Sequence, residues 1–154
     1  MQPTPRGPYL KVPSAHYVPR KVTITGEYHS QLLRQLRECV KEKRRGKIRA
    51  GILLQQDNAR VHTCHVATAA AIECGYELLP HPAYSPDLAP SDYHLFSNLK
   101  KHLRGRHFHS DEDAKNWVEN WFSEQDENFY LTGIRKLQER WEKCIAVHGD
   151  YVEK

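Results

Sequence analysis

Two short apolar runs, separated by a segment long enough for one helix, constrain the fold most. "RAGILLQQ" (49–56) and "YELLP" (76–80) are each bounded by polar residues, which is typical of buried strands and predicts the first strand over 50–55. Between them, "VHTCHVATAAAIECG" predicts a helix over 63–74 that Gly75 ends. This order of elements is a βαβ unit, so we predict two short parallel strands in an α/β fold.

The rest of the chain predicts mainly helices, about five in all. Four more are predicted, over 26–45, 91–104, 111–124 and 127–147. Ser110 and Asp113 have the spacing of a capping box at the start of the third of these. The apolar stripes of the last two helices predict packing into a core.

The proline content divides the sequence. Residues 1–20 hold five of the nine prolines and predict an extended or disordered arm, leaving 21–154 as one domain. No apolar run approaches the roughly 20 residues that a membrane span needs, so we expect no membrane partner. The four cysteines form no C-x-x-C pair, which favours reduced thiols in the cytosol or nucleus.

Positive charge is concentrated in the first third of the chain. Residues 1–50 carry 12 Lys and Arg against 3 Asp and Glu, whereas residues 51–154 carry 11 against 16. The run "KEKRRGKIR" (41–49) and the segment around "HLRGRHFH" (102–109) could attract phosphate backbones, or could simply be solvated helix ends. The candidate phosphate contacts are Lys43, Arg44, Arg45, Lys47, Lys100, Lys101, Arg104 and Arg106.

Two acidic residues follow the predicted strands. Asp57 comes just after the first strand, and Asp92 begins a helix after the second strand and the proline-rich loop "HPAYSPDLAPSD". Ligands of parallel sheets bind outside the carboxyl ends of the strands, where a divalent cation offsets the repulsion of close carboxylates. Asp57 as a turn residue and Asp92 as a first-turn helix acid remain alternatives, because two lone carboxylates are a weak signal.

Three longer motifs carry a family resemblance. "DNARVH" after an apolar strand, "YSPDLAPSDYHLF" and "WEKCIAVHGDYVEK" resemble segments of the catalytic domain of mariner-type transposases, of the Tc1/mariner superfamily. The 34 residues between Asp57 and Asp92 match the gap between the second and third catalytic acids of that family, and the similarity runs from Lys21 to the last residue. Gln56 and Val61 depart from the usual motif, which has His and Pro at those positions.

The resemblance implies a truncated RNase H-like fold and an enzyme family that cuts and joins DNA with Mg²⁺ or Mn²⁺. Carried over, Asp57 and Asp92 are the second and third catalytic, metal-binding carboxylates. Asn58 and His62 belong to the motif of the first, and the turn Ser85-Pro86-Asp87 shapes the loop before the second. DNA is the implied partner and the nucleus the implied location. Mariner transposases act as dimers, which leaves a homodimer open.

One part of the family pattern is missing from this sequence. The family's first catalytic Asp lies upstream of "TITGEY", but nothing acidic precedes Glu27, and the helix-turn-helix DNA-binding region is absent too. We therefore expect weak binding of Mg²⁺ and inactivity of this chain alone. Two alternatives stay open: the chain is part of a longer working transposase, or it is a domesticated nucleic-acid-binding or interaction module with a vestigial metal site.

Overall fold

The predicted strand–helix–strand unit is present in the structure, a computed structural model that describes residues 16–44, 46 and 49–153. Strand β1 (Ile52–Gln55) pairs in parallel with strand β2 (Tyr76–Leu79), so that Ile52 lies opposite Tyr76. The prediction of two short parallel strands is confirmed. Within the described ranges, β1 and β2 form a sheet of two strands.

The helices that pack beside this sheet follow the prediction with one correction. Helix α1 (Gly26–Lys43) begins at the N-cap Thr25 and ends before Arg44, close to the predicted end. The single helix predicted over 63–74 is wrong at its start, because α2 (Arg60–Thr63) and α3 (His65–Glu73) are separate. Cys64 has extended backbone angles (φ −64°, ψ 156°), which interrupt the helical path between them. The described ranges therefore hold six α-helices rather than the expected five.

A small hydrophobic core joins α1, α3 and β2. Leu33 of α1 packs against Ala70 and Ala71 of α3, with Tyr76 of β2 completing the cluster. The alanines put little side-chain volume between the elements, so α1 and α3 can approach each other closely. The core thereby fixes the sheet whose carboxyl end carries Asp57.

The second half of the chain is helical. A 3₁₀ turn (Pro86–Leu88) leads to a π-helix (Ser91–Phe96) that continues directly into α4 (Ser97–Leu103). The helix predicted over 91–104 is thus present, but its first six residues are wider than an α-helix. Helices α5 (Asp111–Glu124) and α6 (Glu127–Ala146) match their predicted ranges within one residue.

The predicted capping box at the start of α5 is half formed. Ser110 Oγ accepts a hydrogen bond from the amide of Asp113 at 3.0 Å. The carboxylate of Asp113 accepts from the amide of His109 at 3.3 Å, one residue earlier than the reciprocal bond of a full box. The two hydrogen bonds together still fix the start of α5.

The described residues form two compact units, which we call the N-terminal unit (up to Ser85) and the C-terminal unit (from Pro86). In the C-terminal unit Trp121 is buried and packs edge-on against Phe129. The predicted core packing of the α6 stripe is wrong in part. Ile134, Trp141 and Ile145 are exposed, because the buried face of α6 carries Tyr130 and Gly133 instead.

The predicted arm over 1–20 lies mostly outside the described residues, which begin at His16. None of the helices in the described ranges is long and apolar enough to cross a membrane.

Candidate metal centre

Asp57 lies two residues beyond the end of β1, at the carboxyl edge of the sheet. Its Oδ1 accepts hydrogen bonds from the amide of Ala59 at 3.0 Å and from Nδ1–H of His62 at 2.5 Å. The Ala59 amide is the main reason that the pKa of Asp57 lies below its ordinary value, and His62 lowers it further. Asp57 is therefore an ionised carboxylate, and its side chain is 67% exposed.

The ring of His62 is held from its other side. His29 of α1 stacks against it with ring centroids 4.3 Å apart and a tilt of 44°. Gln56 contacts both histidines: its Oε1 lies 3.1 Å from Nε2 of His29, and its Nε2 donates to the carbonyl of His62 at 3.2 Å. Burial lowers the pKa of His29, which favours a neutral ring beside His62. The residue found in place of the family's usual His thus helps to orient the partner of Asp57.

Asn58 ties the segments that leave the two strands. Its Nδ2 donates to the carbonyl of His81 at 2.8 Å, and Gln55 Nε2 lies 3.1 Å from Nδ1 of the same histidine. These bonds connect the end of β1 and the loop after it with the loop after β2. Asn58 therefore fixes the loop that carries Asp57 rather than adding a carboxylate of its own.

Asp92 is an exposed residue in the first turn of the π-helix, as the sequence predicted for a helix start. Its amide donates to the carbonyl of Ala89 at 2.9 Å. Its side chain lines an open cleft of about 320 Å³ in the C-terminal unit. The other lining residues are Pro86, Asp87, Tyr93, Tyr151 and Glu153.

The turn before Asp92 is anchored through Asp87. This carboxylate is 8% exposed, and its Oδ2 accepts a hydrogen bond from the amide of Val152 at 3.0 Å. The Asp87 carbonyl accepts from Arg140 at 2.9 Å. Ser85 donates locally to the carbonyl of Ala83. These contacts fit the shaping role that we predict for Ser85-Pro86-Asp87.

The candidate phosphate contacts differ in their surroundings. Lys100, Lys101 and Arg104 are exposed along and just after α4. Arg106 stacks its guanidinium 4.5 Å from the centroid of Trp117 and donates Nε–H to a backbone carbonyl. Of the N-terminal candidates, Lys43 is exposed and Arg44 is half-buried, whereas Arg45 and Lys47 lie outside the described residues.

The donor chemistry of Asp57 and Asp92 fits Mg²⁺ or Mn²⁺, which prefer carboxylate oxygens. Oδ2 of Asp57 accepts no hydrogen bond from any residue that the structure describes, so it is available as a ligand. Each of the two units carries one of the predicted ligands. No group of three or more His, Cys, Asp or Glu suited to a metal occurs among residues 16–44, 46 and 49–153.

Several residues around these acids gave no sequence signal of their own. His29 and Arg140 sit among many polar residues of α1 and α6, where periodicity cannot single them out. Tyr151 and Glu153 lie in the "GDYVEK" segment, whose family resemblance was the one available clue.

The comparisons with known proteins agree with one another. The model of the family described as "DDE superfamily endonuclease" matches residues 18–115. Mariner Mos1 transposase of Drosophila mauritiana is 43% identical over 131 residues, which are 84% of this chain and 38% of that protein. Histone-lysine N-methyltransferase SETMAR of Homo sapiens is 39% identical over 132 residues, 85% of this chain and 19% of that protein.

Solved structures agree with the sequence matches. The Mos1 transposase catalytic domain with raltegravir and Mg matches with a TM-score of 0.81 at 40% identity, covering 85% of this chain and 66% of that one. The Mos1 mariner paired-end complex with Mn gives the same TM-score and identity, covering 85% of this chain and 38% of that one. The present chain thus spans well under half the length of the full-length relatives.

Proposed function

Since this chain belongs to the DDE superfamily of endonucleases, we propose that Asp57 and Asp92 are two metal-binding carboxylates of a site that cuts and joins DNA. The chain has the RNase H-like fold class of the Mos1 catalytic domain and resembles mariner transposases in sequence. The metal-binding roles of Asp57 and Asp92 and the activity of this chain are what we propose.

The geometry of Asp57 carries the proposal. It is an ionised carboxylate at the carboxyl edge of a parallel sheet, with one oxygen engaged and the other available. A carboxylate that served only as a turn residue would need the Ala59 amide but not the second bond from His62. The stacked His29 and the bonds of Gln56 hold that histidine in place. Such outer contacts are what orient metal ligands in proteins.

Each residue has a part in this proposal. Asp57 and Asp92 hold the cation, His62 fixes the rotamer of Asp57, and Asn58 fixes its loop. A bound divalent metal supplies an activated water and stabilises the leaving 3′ oxygen of a phosphodiester. Exposed Lys100, Lys101 and Arg104 would contact the DNA phosphates near the helix that begins at Asp92.

We also propose that the site binds Mg²⁺ weakly and that the partner of the protein is DNA. Two carboxylates give fewer oxygen ligands than octahedral Mg²⁺ prefers, so residues 16–153 alone should bind it weakly. The Mos1 paired-end complexes hold transposon ends, which supports DNA as the partner and the nucleus as the location here. A homodimer is proposed from the resemblance to mariner transposases, which act as dimers.

A cleavage assay with matched variants tests the proposal. Labelled DNA is incubated with Mn²⁺ and the wild-type chain, Asp57→Asn, Asp92→Asn, or the control Asp111→Asn, another exposed first-turn acid. Mn²⁺ binding is followed in parallel by electron paramagnetic resonance. We expect Asp57→Asn and Asp92→Asn each to weaken Mn²⁺ binding about tenfold or more, with the control unchanged.

Equal Mn²⁺ binding by all four proteins would refute the metal site. Cleavage that Asp57→Asn and Asp92→Asn abolish would establish activity in this chain. DNA binding that is independent of both acids and of Mn²⁺ would instead favour the binding-module alternative, which the exposed basic residues of α4 support.

A further inference from the structure

The segment Tyr151–Glu153 folds back onto the loop that precedes Asp92. Val152 is 4% exposed, and its amide donates to Asp87 Oδ2 across 65 positions of sequence. Its carbonyl accepts a hydrogen bond from Nζ of Lys143 in α6. Both backbone polar groups of one residue are therefore used to seat this segment. We call Asp87, Arg140 and Tyr151–Glu153 the clasp.

Arg140 is the centre of the clasp. One of its guanidinium nitrogens donates to the Asp87 carbonyl at 2.9 Å, and the other lies 3.1 Å from a carboxylate oxygen of Glu153. The Glu153 side chain is 62% exposed, so that ion pair adds little by itself. The bond from Arg140 to the Asp87 carbonyl is part-buried and is the better shielded of the two contacts.

A third contact of Arg140 reaches the residue next to Asp92. The guanidinium carbon lies 4.1 Å from the ring centroid of Tyr93, a cation–π contact. The Tyr93 hydroxyl donates to the Gly133 carbonyl at 2.6 Å, and burial raises the pKa of Tyr93 to about 12. Tyr93 is thus held at its ring face and at its hydroxyl, both from α6.

We propose that the clasp positions Asp92, and that Arg140 is its main positioning residue. This inference rests on the proposed function, in which Asp92 binds the cation. Arg140 contacts the loop before Asp92 (through Asp87), the residue after it (Tyr93) and a segment that lines the cleft (through Glu153). A planar guanidinium with five N–H donors can make these three contacts at once, which lysine cannot.

The test compares Arg140→Gln with Arg135→Gln, the same change at an exposed position of the same helix. Two quantities are measured on the full chain: amide hydrogen exchange of residues 92–96, and Mn²⁺ affinity by electron paramagnetic resonance. Both variants are repeated in an Asp92→Asn background. Arg140→Lys, which keeps the charge, replaces Arg140→Gln if the latter does not fold.

We expect Arg140→Gln to speed exchange at 92–96 without speeding it in α5, and to weaken Mn²⁺ binding about tenfold, as loss of an outer-shell contact does. In the Asp92→Asn background it should have no further effect on Mn²⁺. Arg135→Gln should change neither quantity. Asp87→Ala should behave like Arg140→Gln, whereas Asp87→Asn, which keeps an acceptor for the Val152 amide, should stay close to wild type.

Unchanged exchange at 92–96 in Arg140→Gln would overturn the proposal. So would a loss of Mn²⁺ affinity that is equally large with and without Asp92, because a general structural role predicts that result. If Asp92→Asn leaves Mn²⁺ binding unchanged, the proposed function fails. The exchange data then decide on the clasp alone.

Discussion

Gly133 offers the sharpest test of how the π-helix is seated on α6. It is buried, and the ring of His94 fills the space that a side chain would need. A Cβ at position 133 would overlap Cδ2 of His94 and lie 2.8 Å from its Cγ. The ring cannot retreat without cost, since Nε2–H donates to the Phe129 carbonyl at 2.7 Å and the ring lies against the Phe129 ring.

The expected effect of Gly133→Ala combines three contributions. Overpacking costs about 1–3 kcal/mol, and loss of the His94–Phe129 hydrogen bond costs about 1 kcal/mol. Alanine in place of glycine inside a helix stabilises the folded state by about 1 kcal/mol. We therefore expect a net loss of about 1–3 kcal/mol in the free energy of unfolding.

Urea denaturation followed by tryptophan fluorescence measures this effect, because all three tryptophans lie in the C-terminal unit. The control is the same substitution in a His94→Ala background, where the obstacle is gone. There Gly133→Ala should stabilise by about 0.5–1 kcal/mol, the helix-propensity difference alone. Destabilisation of equal size in both backgrounds would refute the steric reasoning.

Three further predictions concern other parts of the chain. The Asp57 carboxyl should titrate in NMR with a pKa below its ordinary value of 3.8. His62→Ala should raise this pKa only partly, because the hydrogen bond from the Ala59 amide remains. An unchanged pKa in His62→Ala would contradict the Asp57–His62 contact. Since the folded-state pKa is depressed, the stability that Asp57 contributes is present above about pH 4 and is lost as the pH falls through its folded value. Ser110→Ala should cost about 1 kcal/mol in urea denaturation by removing the N-cap bond of α5, whereas the exposed Ser123→Ala should cost under about 0.5 kcal/mol. Cys74 should be the slowest of the four cysteine thiols to react with a disulfide reagent, because it is buried and burial raises its pKa. Reaction of Cys74 faster than that of Cys39 would contradict this.

Elements with strong local signals could be predicted from the sequence. Both strands and the long helices follow from apolar periodicity, glycine stops and capping residues, and the parallel pairing of the strands follows from the βαβ order. Asp57 and Asp92 were found through motif spacing rather than through structure. Their placement after β1 and at a helix start agrees with the sequence prediction.

The remaining features depend on contacts between distant residues. The break at Cys64 is a change in one residue's conformation, and the π-helix at 91–96 is a change in width over six residues. Apolar periodicity over a longer window resolves neither. The exposed face of α6 has the same apolar spacing as a buried face, and the tertiary contacts of Tyr130 and Gly133 reveal which side packs. Arg140 makes its contacts with residues 13 to 53 positions away.

The π-helix has a consequence for how this region tolerates insertions and deletions. An α-helix advances about 100° per residue, and a π-helix accommodates one extra residue in a turn without disturbing the helix after it. Deleting one residue between Tyr93 and Phe96 would let the segment relax to α-helical geometry while α4 kept its packing. Asp92 would then keep its direction relative to α4, because the residue removed is the extra one that the π turn accommodates. A single-codon deletion there would therefore leave both the carboxylate and α4 in place, whereas the same deletion inside the regular α5 would rotate the residues before it by about 100°.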